Sequence, residues 1–249
     1  MNVLPALDEK ATYVERMFAR IAPTYDRINR VMTFGQDQTW RQHAVDAVAP
    51  PIDGRALDVG TGTGDFLPLL AAWMPMGTVV GVDFCLPMMQ SGWPKLDAAQ
   101  AMPAPHSDIA VQRTLAFVRG DALCLPFADN SFDAITTGFA LRNVTDITAA
   151  FREMWRVARP GGVVACLEVA RPQPGLLRLG HQFYFEQIVP WIGTVLGSDR
   201  QAYTYLPQSA RTFPMPPVLA EHMRRAGWQH VYYRYLSLGV VALHTGVKL

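Results

Sequence analysis

The sequence predicts an α/β protein built on a seven-stranded, mostly parallel sheet whose last strand is antiparallel. After residue 54, five short and nearly all-apolar segments alternate with helical patterns. This alternation is typical of parallel strands that helices cover on both faces. Two further strand candidates stand near the C-terminus with only SLG, residues 237–239, between them. Because a parallel crossover needs about a dozen residues or more, the last strand is expected to run antiparallel.

The first 50 residues predict helices only, and we expect them to form a cap over the substrate cleft. Apolar residues recur at helical spacing in residues 14–21 and again in 25–32. A third helix is expected over residues 37–48, before Pro50 and Pro51. The chain then divides into a helical cap, residues 1–50, and a sheet domain, residues 51–249. Residues 171–216 are expected to be an insertion on the substrate side, and the whole to act as one functional unit.

The elements of the sheet domain follow in chain order. The strand candidates are RALDV (55–59), TVVGV (78–82), LAFVR (115–119), DAITTG (133–138), VVACLEV (163–169), HVYYRYL (230–236) and VVALHTGVK (240–248). Helices are expected at residues 65–74, 147–158 and 217–226. The RPGG stretch, residues 159–162, is expected to form a turn. Residues 97–113 are expected to form a surface loop.

Composition argues against several classes of protein. Half of the 249 residues are hydrophobic and 17% are charged, as in a folded globular chain. The net charge of +1 does not favour a partner among nucleic acids. The three cysteines are far apart, so neither a disulfide framework nor a metal site is expected, and a reducing cytoplasm fits. No signal peptide is expected, and the longest uncharged run, residues 66–82, falls short of a membrane span of about 20 residues.

A glycine-rich loop in RALDVGTGTGD follows the first strand and offers its backbone to a ligand. Gly60, Gly62 and Gly64 alternate along it. The dinucleotide-binding fingerprint G-x-G-x-x-G would need its third glycine at the position of Asp65. Because a carboxylate there repels a pyrophosphate and attracts a cation, the loop favours a positively charged ligand without phosphates. S-adenosylmethionine has these properties, whereas an NAD-dependent oxidoreductase is disfavoured.

Aspartates at the ends of strands support a nucleoside site. Asp83 closes the second strand, where a carboxylate can accept both ribose hydroxyls. Asp121 follows the third strand, where it can read the adenine edge together with the next backbone N–H. Asp58 lies beneath the glycine loop and either holds it or faces the methionine ammonium. Each aspartate alone could be a turn or helix-cap residue. Together they stand at the carboxyl ends of successive strands, where open α/β sheets bind ligands.

Further motifs extend over most of the chain. They are MFARIAPTYDRINRVMTFGQDQTWR (17–41), LPFADNSFDAIT (125–136), GFALRNVTD (138–146), RVARPGG (156–162), YTYLPQSARTFP (203–214) and GVVALHTGVK (239–248). With them, the sequence resembles the S-adenosylmethionine-dependent C-methyltransferases of ubiquinone and menaquinone biosynthesis from about residue 14 onwards. The resemblance implies a class I methyltransferase fold and methyl transfer to a ring carbon of a polyprenylated quinol. The implied cofactor-binding residues are Gly60, Gly62, Thr63, Gly64, Asp83, Phe84, Asp121, Ala122 and Gly138.

Three positions and one segment depart from the family pattern, the segment being residues 97–113, which are longer than usual in the family. Gly138 stands where members that act on benzoquinols often have Ser, which favours a naphthoquinol, demethylmenaquinol, as the substrate. Ala140 replaces a usual Gly. Gln208 replaces a usual Glu in the Y-L-P-E-S motif, so an acidic role at that position is in doubt.

A ring carbon becomes nucleophilic only when a neighbouring hydroxyl loses its proton, so the site must stabilise a phenolate. Arg142 and Asn143 follow the fourth strand, beside the expected methyl donor. Because arginine stays protonated, Arg142 is predicted to stabilise the phenolate by charge, and Asn143 to orient an oxygen. Tyr25 and Asp26 of the cap are expected at the substrate. Asp26 or His244 would accept the proton.

Structural roles compete with these assignments. Arg142 is also explained by an ion pair with a structural carboxylate, Tyr25 by a place in the core, and His244 by a place in a strand. Glu168, which ends the fifth strand, is either a site residue or the buried partner of an arginine.

The apolar and aromatic segment of residues 176–196 would serve a substrate with an isoprenoid tail, as a channel lining or a membrane contact. Packing in the core or in a homodimer interface explains it equally well. Two other functions stay open: methylation of another small aromatic substrate, and a catalytically silent scaffold of a quinone-synthesis complex. The expected location is the cytoplasm, with peripheral contact at the inner face of the membrane.

Overall fold

Seven strands form one sheet at the centre of the protein: β1 Arg55–Val59, β2 Thr78–Asp83, β3 Thr114–Arg119, β4 Phe132–Gly138, β5 Ala158–Val169, β6 Gln229–Leu236 and β7 Val241–Val247. In the computed structural model their spatial order is β3-β2-β1-β4-β5-β7-β6. Strands β1 to β5 pair in parallel, and β7 is antiparallel to both β5 and β6. The predicted seven strands and antiparallel last strand are confirmed. The structure describes residues 5–6, 9–103, 111–172, 180, 184, 188 and 199–249.

Helices precede the sheet and alternate with its strands: α1 Lys10–Ile21, α2 Tyr25–Met32, α3 Gln36–Val48, α4 Leu67–Trp73, α5 Leu86–Gln100, α6 Ile147–Val157, α7 Arg200–Thr212 and α8 Pro216–Arg225. Short 3₁₀ turns stand at Ala22–Thr24, Leu141–Asn143 and Ser237–Gly239. The helices predicted in the first 50 residues are α1, α2 and α3. Those predicted at 65–74, 147–158 and 217–226 are α4, α6 and α8, with small differences at their ends.

Two apolar layers hold the helices against the sheet. Leu70 of α4 packs with Val79 in one layer, and Phe151 of α6 packs with Val164 in the other. All four side chains are fully buried. Because both faces are covered, the carboxyl ends of the parallel strands are the edge at which a ligand can reach the sheet.

Helix α5 was not predicted, because its apolar residues follow no helical period and Pro94 stands inside it. Residues 97–100, expected in a loop, belong to its last turn. Arg113, at the other end of the expected loop, is buried and donates to the carbonyl of Met102 at 2.8 Å. The expectation of a surface loop is therefore wrong at both ends, and residues 104–110 lie outside the described part.

The RPGG stretch, predicted as a turn between a helix and the fifth strand, lies within β5. Its glycines pair with the C-terminus: Gly161 N–H donates to the Lys248 carbonyl at 2.7 Å, and Lys248 N–H donates to Gly162 at 2.9 Å. A register shift between Phe132 and Ala134 accommodates the extra residues opposite β4. The prediction of a simple turn was wrong because this pairing partner is 87 residues away, from Gly161 to Lys248.

The expected features of residues 176–196 fall outside the described residues, apart from residues 180, 184 and 188. Among the helices that the structure describes, none is both long and apolar enough to cross a membrane.

Candidate active site

Two cavities open near the carboxyl ends of the parallel strands. The first, which we call the polar cleft, has Gly60, Gly62, Asp83, Asp121 and Asn143 among the residues of its wall. The second, which we call the apolar cavity, has a volume of about 270 Å³ and is lined by residues of α2, α3, β5 and β7. Tyr25 and Phe139 line both. These two aromatic residues therefore stand where the cavities adjoin.

Two of the three loop glycines lie in the wall of the polar cleft. Gly60 and Gly62 have positive φ values of 69° and 56°, which glycine adopts without strain. A Cβ atom on Gly60 would lie only 2.4 Å from the Cβ of Ala140, so close packing also requires glycine there. A Cβ atom on Gly64 would meet the ring of Phe117, and Gly64 lies in the wall of neither cavity.

Backbone N–H groups fix the carboxylates of the polar cleft. Asp83 accepts from Gly62 N–H on one oxygen and from Cys85 N–H on the other, both at 2.8 Å. Burial raises the pKa of Asp83, and these hydrogen bonds oppose the shift. Asp121 accepts from Leu123 N–H at 2.9 Å. Each carboxylate oxygen has a second acceptor position, so both side chains can still bind hydroxyl or amine groups. Phe84, Ala122 and Gly138 complete this part of the wall.

Asp58 is buried beneath the loop and lies in the wall of neither cavity. Its Oδ1 accepts from the Thr136 hydroxyl at 2.9 Å. Burial raises the pKa of Asp58 to about 7. Because this value exceeds the roughly 4 of an unfolded chain, Asp58 favours the folded state most at acidic pH and loses that contribution as the pH rises to about 7. The hydrogen bond to Thr136 joins β1 to β4, and together with the position of Asp58 outside both cavity walls it favours a structural role over a contact with the methionine ammonium.

A cluster of charges ties the cap to the glycine loop. Lys95 Nζ lies 2.8 Å from Asp26 Oδ2 and 2.7 Å from Asp65 Oδ1. The Thr63 hydroxyl accepts from Lys95 at 2.8 Å and donates to Asp26 Oδ1 at 2.5 Å. Thr63 and Asp26 lie in the wall of neither cavity. The roles predicted for them, cofactor contact and proton acceptance, find no support in these contacts.

Asp65 is not the free carboxylate that the sequence argument assumed. Burial raises its pKa, but Arg41 at 3.3 Å and Lys95 at 2.7 Å outweigh burial and hold the pKa below its usual value. With its charge balanced, Asp65 does not select a cationic ligand. That selection falls to the polar cleft, because Asp83 and Asp121 lie in its described wall and no Lys, Arg or His does.

The 3₁₀ turn Leu141–Asn143 directs its two polar side chains to different cavities. Arg142 is 7% exposed and lines the apolar cavity, and its Nη1 donates to the Phe139 carbonyl at 2.7 Å. Asn143 lines the polar cleft, and its Oδ1 accepts from the Tyr205 hydroxyl at 3.2 Å. The turn thus places one polar side chain in the wall of each cavity.

Glu168 supports this turn from the buried end of β5. Its Oε1 accepts from Leu141 N–H at 2.7 Å, and its Oε2 accepts from Val169 N–H at 3.3 Å. Burial raises the pKa of Glu168 to about 6, while the positive charge of Arg142 opposes the shift. The contacts of Glu168 are those of a residue that positions the turn.

Tyr25 and His244, the two other candidates, differ in their surroundings. Burial raises the pKa of Tyr25, and the charges of Arg142 and Arg41 oppose that shift. His244 is fully buried with its Nε2 3.0 Å from the Pro216 carbonyl, and burial lowers its pKa to about 4. His244 lies in the wall of neither cavity, so its position supports a structural role.

Sequence reasoning missed two charged residues of the apolar cavity, Asp37 and Arg41 of α3. They are 3% and 6% exposed, and Arg41 Nη1 donates to Asp37 Oδ2 at 3.0 Å. One feature of the sequence could have indicated them. The pair is spaced by one helical turn and shares its helix face with the buried residues Trp40 and Ala44, where charges are unusual.

The polar cleft fits S-adenosylmethionine in its chemistry. Four glycines of its wall let a ligand approach the backbone closely: Gly60, Gly62, Gly120 and Gly138. Asp83 and Asp121 offer acceptors for hydroxyl and amine groups, and Phe84 and Leu123 offer apolar surface for a purine. The absence of basic residues from its described wall disfavours a phosphate-bearing ligand.

Comparison with known proteins agrees with this assignment. The model of the ubiE/COQ5 methyltransferase family matches residues 6–248. A demethylmenaquinone methyltransferase of Roseiflexus castenholzii is 63% identical over 247 residues, covering 99% of this chain and 98% of the relative. The protein of the same name from Deinococcus radiodurans is 41% identical, covering 96% and 94%.

Solved structures support the fold alone. A Thermotoga maritima S-adenosylmethionine-dependent methyltransferase, described as a possible histamine N-methyltransferase, superposes with a TM-score of 0.63 at 21% identity, covering 94% of this chain and 99% of that one. Its fold is the class I methyltransferase fold that the sequence predicts. With the family model matching nearly the whole chain, this protein belongs to the ubiE/COQ5 methyltransferase family and is an S-adenosylmethionine-dependent methyltransferase.

Proposed function

We propose that this enzyme methylates a ring carbon of demethylmenaquinol, a polyprenylated naphthoquinol, in the synthesis of menaquinone. The observation that carries the proposal is the junction of the two cavities at Tyr25 and Phe139. A polar cleft suited to the methyl donor adjoins an apolar cavity suited to an aromatic ring with a hydrocarbon tail. The relatives named demethylmenaquinone methyltransferase support the choice of this quinol.

The cofactor residues act in two groups. We propose that Gly60, Gly62, Asp83, Phe84, Asp121, Ala122 and Gly138 contact S-adenosylmethionine, which supplies an electrophilic methyl group on its sulfonium. Thr63 instead holds the shape of the loop through its hydrogen bond with Lys95, and Gly64 leaves room for the ring of Phe117. The cap, residues 1–50, closes the site, because α2 and α3 supply walls of the apolar cavity.

Arg142 has the central chemical role in this proposal. A phenol with a pKa near 10 is only about 0.1% ionised at pH 7, and full ionisation costs roughly 4 kcal/mol. The buried guanidinium of Arg142 stabilises the phenolate oxygen by charge and hydrogen bonding. Asn143 orients an oxygen from the side of the polar cleft, and Tyr25 holds the ring at the junction. The apolar walls keep water away, which strengthens each of these charge interactions.

Methyl transfer from labelled S-adenosylmethionine tests the substrate. Reduced demethylmenaquinone and reduced 2-methoxy-6-polyprenyl-benzoquinone are offered separately to the wild-type enzyme, with the Asp83→Ala variant as the control that lacks the cofactor acceptor. We expect label in the naphthoquinol product and little or none in the benzoquinol product.

Other outcomes distinguish the competing functions. Label in both products would indicate a dual-function enzyme. Bound cofactor without label in either product would indicate another aromatic substrate. A wild-type protein that does not bind S-adenosylmethionine would contradict the enzymatic proposal and favour a silent scaffold.

We also propose that the mouth of the apolar cavity contacts the membrane, where polyprenylated quinols dissolve. Phe34 lines this cavity yet is 81% exposed, and Leu238 is 77% exposed next to the cavity residue Ser237. The Ser237 hydroxyl donates to Gln36 Oε1 at 2.6 Å, and this hydrogen bond joins the segment that carries Phe34 to the segment that carries Leu238. Exposed apolar tips at the entrance of an apolar cavity are suited to a lipid surface.

Sedimentation with phospholipid vesicles tests this contact. Replacing Phe34 and Leu238 together with Ser is expected to lower the bound fraction at least about tenfold, because two large apolar side chains no longer enter the lipid. The matched control is Trp93→Ser, which removes an exposed aromatic residue of α5 that lines neither cavity. Equal binding of both variants and the wild type would contradict the proposal.

A further inference from the structure

Two arginines of the apolar cavity keep unpartnered donors. Arg41 and Arg142 line this cavity and are only 6% and 7% exposed. The Nε atom of each is buried and has no hydrogen-bond partner among the described residues. A buried charged donor without a partner is costly, so such a donor in a cavity wall indicates a ligand acceptor.

The guanidinium of Arg41 is fixed on its other sides. Its Nη1 donates to Asp37 Oδ2 at 3.0 Å, and its Nη2 lies 3.3 Å from Asp65 Oδ2. Its central carbon lies 5.7 Å from the ring centroid of Phe66 and 5.6 Å from that of Phe139. With two edges in ion pairs and aromatic rings nearby, the Nε edge is the one left for a ligand.

Arg142 lines the same cavity and contacts the backbone of Phe139 rather than its ring. Its Nη1 binds the Phe139 carbonyl at 2.7 Å, whereas Arg41 contacts the Phe139 ring. The charges of both arginines act on the hydroxyl of Tyr25. The two guanidinium groups therefore border the junction where the ring of the substrate is expected.

We propose that Arg41 binds the second ring oxygen of the quinol, para to the oxygen that Arg142 stabilises. This inference rests on the proposed function and adds a specificity-determining residue to it. The site then selects a para-diol over a phenol with a single oxygen, because the phenol leaves the Arg41 donor unpaired. Arg41 is a binding residue here, and its ion pairs with Asp37 and Asp65 hold it in place.

Comparing two substrates in two enzymes tests the proposal. The substrates are the prenylated naphthoquinol and the matched naphthol that keeps only the hydroxyl beside the methylated carbon. The enzymes are the wild type and Arg41→Lys, which keeps a positive charge near Asp37 and Asp65 but has no Nε–H. The readout is the ratio of kcat/KM for the diol to that for the naphthol, since this ratio cancels the different reactivities of the two rings.

We expect this ratio to fall about tenfold to a hundredfold in Arg41→Lys, as for the loss of one hydrogen bond to a charged donor. The matched control is Asp37→Asn, which weakens an ion pair of Arg41 but keeps its Nε–H, so the ratio should stay within about threefold of the wild type. A ratio unchanged in Arg41→Lys would overturn the proposal and leave Arg41 with a structural role only.

A measurement on the wild type alone guards against a variant that does not fold. Both the diol and the naphthol are prepared with a methyl group already on the reacting carbon and are compared as inhibitors of quinol methylation. The diol should bind at least about tenfold more tightly. Equal inhibition would overturn the proposal. A wild type that methylates no quinol at all would contradict the proposed function instead, so the two failures are distinguishable.

Discussion

Replacing Arg142 with Ala is expected to lower kcat by about a hundredfold to a thousandfold, as for the loss of one donor to a developing oxyanion. Arg142 lies in the wall of the apolar cavity and not of the polar cleft, so the affinity for S-adenosylmethionine should change little. The measurement is single-turnover methyl transfer at saturating quinol, with cofactor binding followed by calorimetry.

The pH dependence of the Arg142→Ala variant separates charge stabilisation from a loss of structure. Without the guanidinium, the reaction depends on phenolate that forms in solution, whose fraction rises roughly tenfold per pH unit below a pKa near 10. The rate of the variant should therefore climb steeply between pH 7 and 9, whereas that of the wild type should climb less.

Arg142→Lys provides the matched control, because lysine keeps the charge but not the planar donor group. We expect it to recover part of the lost rate. If Arg142→Ala kept its rate within about threefold of the wild type, another group would have to stabilise the phenolate. If the variant stayed slow at every pH, formation of the phenolate would not be the step that limits its rate.

Most of the sheet could be predicted from the sequence, because buried parallel strands are short, nearly continuous apolar runs. RALDV and TVVGV can be identified without knowing which strand each one pairs with, and the glycine loop follows from its position after β1. Helix α5 could not be found this way. Its first-turn Pro87, its Gly92 and its internal Pro94 interrupt the apolar period, and contacts with other elements hold it in place: a Cβ atom on Gly92 would lie 2.3 Å from the Thr63 carbonyl.

The candidate site divides in the same physical way. Residues fixed by local backbone geometry, such as Gly60 and Asp83, lie in the cleft to which their positions in the sequence assign them. Residues whose role depends on charge pairing could not be judged from sequence. From the sequence Asp65 is expected to be unpaired, but in the structure Arg41 and Lys95 contact its carboxylate. Asp26 is expected to be available as a base, but Lys95 and Thr63 bind its carboxylate. Long-range ion pairs leave no periodic pattern, so only the folded structure reveals them.

The same ion pairs indicate how the cap and the cofactor loop cooperate. Lys95 and Arg41 each contact the carboxylate of Asp65 in the glycine loop, and each also contacts a cap residue, Asp26 or Asp37. Because the cap supplies walls of the apolar cavity and the loop supplies walls of the polar cleft, these contacts fix one cavity relative to the other. In-line methyl transfer depends on such alignment.

Replacing Gly60 with Ala is expected to destabilise the protein by about 2 to 5 kcal/mol and to weaken cofactor binding. A left-handed backbone costs a non-glycine residue about 1 to 2 kcal/mol, and overpacking of a core adds about 1 to 3 kcal/mol. Overpacking is expected because the new methyl group would lie 2.4 Å from the Cβ of Ala140. Gly62→Ala is the matched control, since its φ is also positive but its Cβ would meet only the end of the Met88 side chain, at 3.3 Å.

The double variant Gly60→Ala with Ala140→Gly isolates the packing contribution. Removing the methyl group of Ala140 leaves room for the one added at position 60, so the free energy of unfolding should return to about that of Gly62→Ala. The strain of the left-handed backbone stays in all three variants, and chemical denaturation measures the difference. If Gly60→Ala were no less stable than Gly62→Ala, or if the second substitution recovered nothing, close contact between the glycine loop and the segment before Arg142 would not be what requires glycine at position 60.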